Sequence, residues 1–376
     1  MGWNVVDRFT IYHEEGFYAL SPTVTRTPGG PLLVTFQRAT HQGTAHHEHP
    51  LFNVQACRSE DEGRTWSEAR LVTIDPRGGV MDRGVHTLPD GSIFLHSSCT
   101  ELVPAEGEGH HAQNWVVQGG KPFWVRSRDD GHTWTNPIRF PPLPDAIWGH
   151  PAQHSGVSRS GLLAHPDGRL LVPSKATDIT EEFRYFGMMR VSWDMGETWE
   201  YGGRIAEDPV AHFSEPTIHR TPKGRILVLY RCHPGALGPD IVRDQGFEGA
   251  MTKDPNFVHR FLALVASDDE GKTWSEWRPT RIHGSPGHML GLKDGRIFLT
   301  VGTRWEGQRG CVARVLDPEG TDLDTASELV IRDDALTTDC GYPWSVELND
   351  GRVLVVYWHH FDDDHRGIEG AIVAEA

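Results

Sequence analysis

The stretch SEDEGRTWSE, at residues 59–68, recurs three more times in the chain with the same frame. SRDDGHTWTN begins at Ser127, SWDMGETWEY at Ser192 and SDDEGKTWSE at Ser267. All four stretches fit Ser-x-Asp-x-Gly-x-Thr-Trp without a gap, and we call each of them a box. A repeat this long indicates a repeated structural unit, so it bears on the fold before any single residue does.

A second, weaker repeat lies between the boxes and consists of a glycine followed by an apolar, β-type run. LPDGSIFLHS and TPKGRILVLY are two examples. Asp-Gly and Lys-Gly at such positions predict hairpin turns that need a positive φ. Each copy therefore predicts a β-hairpin. The six turn glycines are Gly30, Gly91, Gly168, Gly224, Gly295 and Gly351.

The two repeats together predict the architecture. Each box follows a third strand-like segment and precedes a fourth, so it is expected to form the turn between them. Six hairpins about 64 residues apart predict six four-stranded antiparallel blades of an all-β propeller, as a single domain over residues 1–376. The N-terminal NVVDRFTIY is predicted to pair into the last blade and close the ring. The alternative, two stacked β-sandwiches, suits six in-phase hairpins less well.

Composition narrows the classes of partner. The chain of 376 residues has 52 acidic and 36 basic residues and a formal net charge of −16, which disfavours nucleic acid as a partner. No run of 18 apolar residues occurs, so no membrane span is predicted. The N-terminus lacks a basic start followed by an apolar stretch, and the five cysteines are widely spaced. These features predict buried free thiols and a cytoplasmic location.

The candidate site follows from counting along each hairpin. The first strand of a blade is innermost in a propeller, and its start lies at one mouth of the central channel. Polar side chains that converge there form the leading site. Nine residues before the turn glycines stand Ser21, Asp82, Arg159, Glu215, Pro286 and Tyr342. Seven residues after them stand Gln37, Ser98, Lys175, Arg231, Gly302 and Trp358.

These residue types can perform acid–base and nucleophilic chemistry. A glutamate beside a tyrosine can act as base to the phenol, which ionises unaided only near pH 10. Arginines at the same mouth can hold a carboxylate in bidentate fashion. Trp358 is either part of the blade packing or a platform for a sugar ring.

In its boxes, its order of six hairpins and its mouth residues, the chain resembles the sialidase (neuraminidase) superfamily of six-bladed propellers over nearly its whole length. The resemblance implies a tyrosine–glutamate pair as nucleophile, an aspartate as acid/base and three arginines that bind the substrate carboxylate. It assigns the pair to Tyr342 and Glu215, and one arginine to Arg231. Arg304 or Arg309 would be the next arginine. Asp82, Arg159, Gln37, Lys175 and Trp358 complete the expected substrate contacts.

Two positions depart from the pattern of the superfamily. Leu20 stands where the resemblance expects the first arginine. The loop that should carry the aspartate, RATHQGTAHHEHP, contains no Asp. His47 lies in the middle of that loop and is the candidate acid/base in its place.

The 22 histidines cluster in several predicted loops at the mouth. They can be solvated, donate hydrogen bonds to sugar hydroxyls, or include a catalytic acid/base. No HxH or HExxH spacing on one predicted strand or helix supports a metal site, so no metal and no cofactor is predicted.

Three functions remain open from the sequence. The first is an exo-glycosidase of sialidase type that cleaves a terminal, acidic sugar from a glycan. The second is a polysaccharide lyase in which His and Tyr move the proton beside a uronate. The third is a propeller that binds glycans without turnover, since a fold does not fix a function.

Overall fold

The computed structural model describes residues 2–40, 51–76, 78–104, 115–141, 143, 159–178, 184–209, 211–233, 261–362 and 365–376. These residues form six four-stranded antiparallel sheets and contain no helix. The predicted six-bladed β-propeller is therefore confirmed. Each blade takes four strands in chain order, except that the last blade takes its outermost strand from the N-terminus.

The strands of the first three blades are as follows. Blade 1 consists of β2 (Phe17–Arg26), β3 (Leu32–Thr40), β4 (Asn53–Ser59) and β5 (Arg70–Thr73). Blade 2 consists of β6 (Gly78–Thr87), β7 (Ile93–Pro104), β8 (Trp115–Ser127) and β9 (Ile138–Arg139). Blade 3 consists of β10 (Leu163–Ala164), β11 (Leu170–Asp178), β12 (Arg184–Ser192) and β13 (Glu200–Ala206).

The other three blades repeat the arrangement. Blade 4 consists of β14 (His212–Arg220), β15 (Ile226–His233), β16 (Phe261–Ser267) and β17 (Arg278–His283). Blade 5 consists of β18 (Gly287–Gly291), β19 (Ile297–Trp305), β20 (Gln308–Leu316) and β21 (Glu328–Arg332). Blade 6 consists of β22 (Gly341–Glu347), β23 (Val353–Asp362), β24 (His365–Glu375) and β1 (Trp3–Tyr12).

The N-terminal strand closes the ring as the sequence predicts. β1 pairs antiparallel with β24, from Trp3 opposite Glu375 to Tyr12 opposite Ile368. The pairing covers the outer edge of β24, which would otherwise present unpaired backbone groups. Because β1 and β24 come from opposite ends of the chain, the ring is held closed by a sheet contact.

Each box is the turn between the third and fourth strands of its blade, also as predicted. In the first box Gly63 N donates to Ser59 Oγ at 2.8 Å, and Thr65 N donates to Asp61 Oδ1 at 2.9 Å. The Trp66 indole donates to Gly63 O at 3.1 Å. The hydrogen bonds that Asp61 accepts from the hydroxyl and the backbone N–H of Thr65 hold the pKa of Asp61 down at about 2. The serine and aspartate bonds recur in the other three boxes.

The boxes also tie each blade to the preceding blade. Asp130 of the second box accepts Gly29 N at 2.9 Å and Arg58 Nη2 at 2.8 Å, both from blade 1. Glu270 of the fourth box accepts His165 Nε2 of blade 3 at 2.7 Å. The repeat that opens the sequence analysis is therefore a structural device on the face that carries the hairpin turns.

The described residues contain no disulfide bond, no helix that could cross a membrane and no cluster of metal ligands. All five cysteines are buried, with free thiols. Within the described ranges, no helix is long and apolar enough to cross a membrane. Among the same residues no cluster of His, Cys, Asp and Glu side chains is suited to a metal ion.

A buried carboxyl lies at the closure between β24 and β1. Glu369 is 3% exposed and sits opposite Thr10 in the ladder. Burial raises the pKa of its carboxyl from 4.5 to about 7, against a hydrogen bond with Thr10 and the charge of Arg332, which both lower it. Since the folded pKa lies above the unfolded one, the folded state takes up a proton, and its stability falls as the pH rises from about 4.5 through 7.

Replacing this carboxyl by an amide should therefore stabilise the folded protein at basic pH. Glu369→Gln is expected to raise the free energy of unfolding by about 1–3 kcal/mol near pH 8, and to leave it nearly unchanged near pH 4. Denaturant unfolding over this pH range measures the effect. Glu306→Gln, at an exposed position, is the control and should give a flat difference. A Glu369→Gln difference that does not vary with pH would contradict the assignment.

Candidate active site

Three of the predicted residues meet at one mouth of the propeller. Tyr342 Oη donates to Glu215 Oε1 at 2.5 Å. Arg231 Nη1 donates both to Glu215 Oε2 at 2.5 Å and to Tyr342 Oη at 2.8 Å. Glu215 and Arg231 are buried, whereas Tyr342 is partly exposed. A phenol, a carboxylate and a guanidinium thus form one closed set of hydrogen bonds beneath an accessible ring.

The electrostatics of this set keep the carboxylate charged. Burial alone would raise the pKa of Glu215, but the charge of Arg231 and the hydrogen bonds from Tyr342 and Arg231 outweigh it. The pKa of Glu215 therefore lies well below its usual range. Burial would likewise lower the pKa of Arg231, and the charge of Glu215 raises it instead. At neutral pH the site contains a carboxylate acceptor and a permanent cation.

The backbone of the innermost strands aims these side chains at the mouth. Glu215 and Tyr342 have φ of 47° and 48°, in the left-handed region. Both lie at a register shift of their strand, between Ser214 and Thr217 in β14 and between Gly341 and Trp344 in β22. Such bulges re-aim a side chain, and a non-glycine residue in the left-handed region costs roughly 1–2 kcal/mol. Strain of this kind is concentrated at functional sites.

Arg159 is placed beneath the mouth. Its guanidinium is 2% exposed and donates to Pro22 O at 2.6 Å and to Tyr342 O at 2.9 Å. A residue of blade 3 thereby joins the backbones of blades 1 and 6 across the axis. Since these bonds fix the bulge that carries Tyr342, the geometry favours a positioning role over substrate contact for Arg159.

Aromatic rings fill the axis below Arg159. The Trp344 ring stacks on His288 at 4.0 Å between centroids and lies 5.7 Å from His86. The guanidinium of Arg159 lies 4.9 Å above the same indole. Side chains of blades 2, 3, 5 and 6 therefore meet at Trp344, which forms the floor beneath the Tyr342 site.

Arg304 is the predicted arginine that lies beside Tyr342. Its guanidinium is 5.0 Å from the centroid of the Tyr342 ring and 5.4 Å from that of Trp358. Its Nε donates to Cys340 O at 3.1 Å. Arg309 instead donates through Nη1 to Leu336 O at 2.9 Å, on the segment before β22. Of the two arginines between which the sequence does not choose, Arg304 is therefore the one beside the Tyr342 ring, and its contact with substrate stays a prediction.

The blade 1 side of the site is apolar. Leu20 and Trp358 are both buried in one cluster, against which the Tyr342 ring packs. The Trp358 ring lies 4.6 Å from that of Tyr342, so it supports the tyrosine from behind. Gln37 is fully buried opposite Leu20, and its amide makes no hydrogen bond to any described residue. No cation of blade 1 replaces the missing arginine within the described part of the chain.

Three further candidates are Lys175, Asp82 and His47, and of these the structure describes the side chain of Lys175 alone. Lys175 is partly exposed, and its Nζ lies 4.2 Å from the centroid of the Tyr185 ring. Asp82 lies in β6, where only the backbone belongs to the described part. His47 lies outside the described residues, so its assignment stays a prediction.

The positions counted from the turn glycines do not reveal which groups hold the site residues in place. Arg159 was expected to bind substrate, and its bonds to two backbone carbonyls have no local sequence signal. The bulges do have such a signal. Ser21, Glu215 and Tyr342 are each followed by proline and share a positive φ, so the common dipeptide marks the strained position.

Comparison with known proteins agrees with this architecture. A family model described as a BNR repeat-like domain matches residues 107–246. The chain is 23% identical over 199 residues to a sialidase of Clostridium perfringens, covering 50% of each protein. It is 23% identical over 295 residues to a sialidase of Paraclostridium sordellii, covering 76% of this chain and 64% of that one. The chain thus spans half to under two thirds of the length of these relatives.

Solved structures share the fold over nearly the whole chain. A protein of unknown function from Dyadobacter fermentans superposes with a TM-score of 0.84 at 29% identity, covering 100% of both chains. A Hadza microbial sialidase gives a TM-score of 0.63 at 18% identity, covering 94% of this chain and 65% of that chain. An α-L-arabinanase of Penicillium chrysogenum gives 0.65 at 16% identity and 98% coverage of both.

The blades, the boxes and the Tyr342–Glu215–Arg231 set define a propeller of the sialidase type. The matches in sequence and fold support a divergent propeller of the sialidase superfamily.

Proposed function

We propose that the protein is an exo-glycosidase that hydrolyses a terminal, acidic sugar from a glycan. The observation that carries the proposal is the 2.5 Å hydrogen bond from Tyr342 Oη to the Glu215 carboxylate. A base in hydrogen-bond reach of a hydroxyl is the arrangement that activates a weak nucleophile. Arg231 at 2.8 Å from the same oxygen stabilises the negative charge that develops when the proton leaves.

In the proposed first step a covalent bond forms between Tyr342 and the sugar. Tyr342 Oη attacks the anomeric carbon, the glycosidic C–O bond breaks, and the phenolic proton passes to Glu215. The departing oxygen takes a proton from an acid, for which we propose His47. In the second step water attacks the same carbon and gives a proton to His47, which restores the acid, while the bond to Tyr342 breaks and Glu215 returns its proton to the phenolate. Tyrosine as nucleophile is a recognised exception among glycosidases, which commonly use two carboxylates.

Several observations support a glycan substrate in solution. Structures named for sialidase and arabinanase activity share the fold. The net charge of −16 disfavours nucleic acid as a partner, and the five buried, free cysteines agree with a proposed cytoplasmic location. The cations at the mouth, Arg231 and Arg304, favour a substrate that carries a negative charge.

The specificity follows from the two departures from the superfamily pattern. We expect α-sialosides to be hydrolysed weakly or not at all, because Leu20 removes one arginine of the carboxylate clamp. Other acidic glycosides, such as α- and β-linked uronides, are expected to be cleaved. His47→Ala should lower their turnover roughly 10²- to 10⁴-fold if His47 is the proton donor. A panel of fluorogenic glycosides, assayed with wild type and variant, measures both effects.

His132→Ala, in the exposed second box, is the matched control and should leave turnover unchanged. Robust sialoside hydrolysis that survives His47→Ala would contradict both parts of this prediction. Release of an unsaturated uronate, visible by its ultraviolet absorbance, would indicate a lyase in place of a hydrolase. Binding of glycans without turnover of any substrate would indicate the non-catalytic alternative.

A further inference from the structure

A third copy of the strained turn lies at the mouth, and the proposed reaction does not use it. Ser21 occupies in blade 1 the position that Glu215 occupies in blade 4 and Tyr342 in blade 6. Its φ of 54° lies in the same left-handed region as their values of 47° and 48°. The ladder of β2 and β3 shifts register between Leu20 and Thr23, on either side of Ser21 and the proline after it. The same backbone turn therefore directs the Ser21 side chain toward the mouth at which Glu215 and Tyr342 meet.

The turn of Ser21 is tied to the turn of Tyr342 by a printed contact of one guanidinium. Arg159 Nη2 donates to Pro22 O at 2.6 Å and to Tyr342 O at 2.9 Å, so a single nitrogen joins the two turns. A residue with a Cβ is strained in the left-handed region, whereas glycine adopts it without that cost. A serine at such a position, held by a contact from another blade, indicates that its side chain has a use.

The hydroxyl of Ser21 is available to a ligand. Ser21 is 7% exposed, and its Oγ makes no hydrogen bond within the described ranges of the chain. Its neighbour Leu20 is 1% exposed and belongs to the apolar cluster against which the Tyr342 ring packs. A serine hydroxyl both donates and accepts, and it carries no charge. Ser21 therefore offers the pocket a neutral hydrogen-bonding group on the side of blade 1.

The cations of the site lie on other blades. Arg231 belongs to β15 of blade 4 and Arg304 to β19 of blade 5, and blade 1 lies opposite blade 4 in the ring of six. A substrate carboxylate is therefore favoured on the side of blades 4 and 5. The part of the substrate that faces Ser21 is expected to be polar and uncharged, and the hydroxyls of a sugar ring have this chemistry.

We propose that Ser21 determines specificity by a hydrogen bond to one ring hydroxyl of the acidic sugar, on the side of the pocket opposite the arginines. The inference rests on the proposed function for the class of ligand, but its content is the recognition of a hydroxyl. A site built to bond a hydroxyl discriminates against the analogue that lacks it, because the polar group of the protein then loses its partner. The turn that positions the proposed nucleophile and base thus also supplies the residue that orients the ring.

The test couples Ser21 to single hydroxyls of the ligand, and it measures binding separately from turnover. In a Tyr342→Phe background, calorimetric titration measures the affinities of D-glucuronate and D-galacturonate, and of the 2-deoxy, 3-deoxy and 4-deoxy analogues of each. Ser21→Ala is expected to weaken the better-bound acid about 2- to 10-fold, the range of a neutral hydrogen bond. One of its deoxy analogues should bind the parent protein more weakly by the same factor, and should lose nothing further in Ser21→Ala.

Two further variants separate the hydroxyl from the backbone. Ser21→Gly removes both the hydroxyl and the strain, and it should show the same selective loss as Ser21→Ala. Ser327→Ala, at an exposed serine between β20 and β21, is the control and should change no affinity.

The outcomes separate this inference from the proposed function. A loss in Ser21→Ala that is equal for the acid and all of its deoxy analogues, or absent from all, would overturn the role of Ser21. A selective loss that Ser21→Gly does not share, or failure of both sugar acids to bind, would overturn it as well. Coupling to one hydroxyl, in a protein that hydrolyses no glycoside, would support the role of Ser21 and refute the proposed hydrolysis. Hydrolysis of acidic glycosides without such coupling would do the reverse.

Discussion

Replacement of Tyr342 by phenylalanine is expected to lower kcat roughly 10³- to 10⁶-fold on whichever acidic glycoside the wild type cleaves best. The change removes only the Oη atom, which donates to Glu215 and accepts from Arg231. The ring remains, and so do its contacts with Trp358 and Arg304. Because no bond to the sugar can then form, the loss should fall on kcat, with the KM little changed.

The chain offers a matched control for this variant. Tyr12 Oη donates to Glu14 Oε2 at 2.5 Å, and Arg38 Nη1 donates to Tyr12 Oη at 3.0 Å and to Glu14 at 2.7 Å. These are the same three residue types in similar bonds, but they lie at the end of β1, in the turn after it and in β3. Tyr12→Phe should leave kcat unchanged. Substantial turnover by Tyr342→Phe, or an equal loss in Tyr12→Phe, would exclude Tyr342 as the nucleophile.

The parts of the fold that the sequence predicts are those with local chemistry. A turn glycine needs a positive φ, and all six of the turn glycines have one. In a box, the serine and aspartate bond amides within four residues of themselves, so the pattern and the geometry coincide. The corresponding turn of blade 5, LDPEGTDL at residues 316–323, lacks the serine and the tryptophan of a box but keeps the bond from Thr321 N to Asp317 Oδ2 at 3.0 Å.

The parts that the sequence does not predict depend on contacts between distant segments. Arg159 reaches carbonyls 137 and 183 residues away in the chain, and only the closed ring brings them together. The choice between Arg304 and Arg309 depends on a register within β19 and β20, where the two residues lie directly opposite each other. Counting from a glycine locates a strand end, but it cannot say which of two paired residues lies nearer Tyr342.

The common offset of Glu215 and Tyr342 has a physical basis that links fold and site. Both residues occupy the same bulge in different blades, each before a proline and each with a positive φ. The propeller repeats one strained turn, and two of its copies carry the proposed nucleophile and its proposed base. Ser21 occupies the same conformation in blade 1 with φ of 54°. Glu215 and Tyr342 therefore lie at the same mouth because the same backbone turn recurs in their two blades.

The buried ion pair of the site should dominate its contribution to stability. Glu215→Leu is expected to lower the free energy of unfolding by about 3–5 kcal/mol at pH 7, because it leaves the cation of Arg231 buried without its partner. Since the pKa of Glu215 is lowered on folding, its contribution is present above its unfolded pKa and disappears as the pH falls through the folded value. The difference in the free energy of unfolding between the variant and the wild type should therefore become smaller at acidic pH. Denaturant unfolding at several pH values measures it.

A second variant separates the fold from the chemistry at this pair. Glu215→Leu combined with Arg231→Met removes both charges, and it should recover most of the stability that Glu215→Leu loses. Neither variant should hydrolyse the substrate, since both lack the base. The exposed pair of Arg204 and Glu207, 2.8 Å apart, is the control, and Glu207→Leu should cost less than about 1 kcal/mol. If the double variant were less stable than Glu215→Leu, the loss would come from packing, and the uncompensated charge of Arg231 would not be its cause.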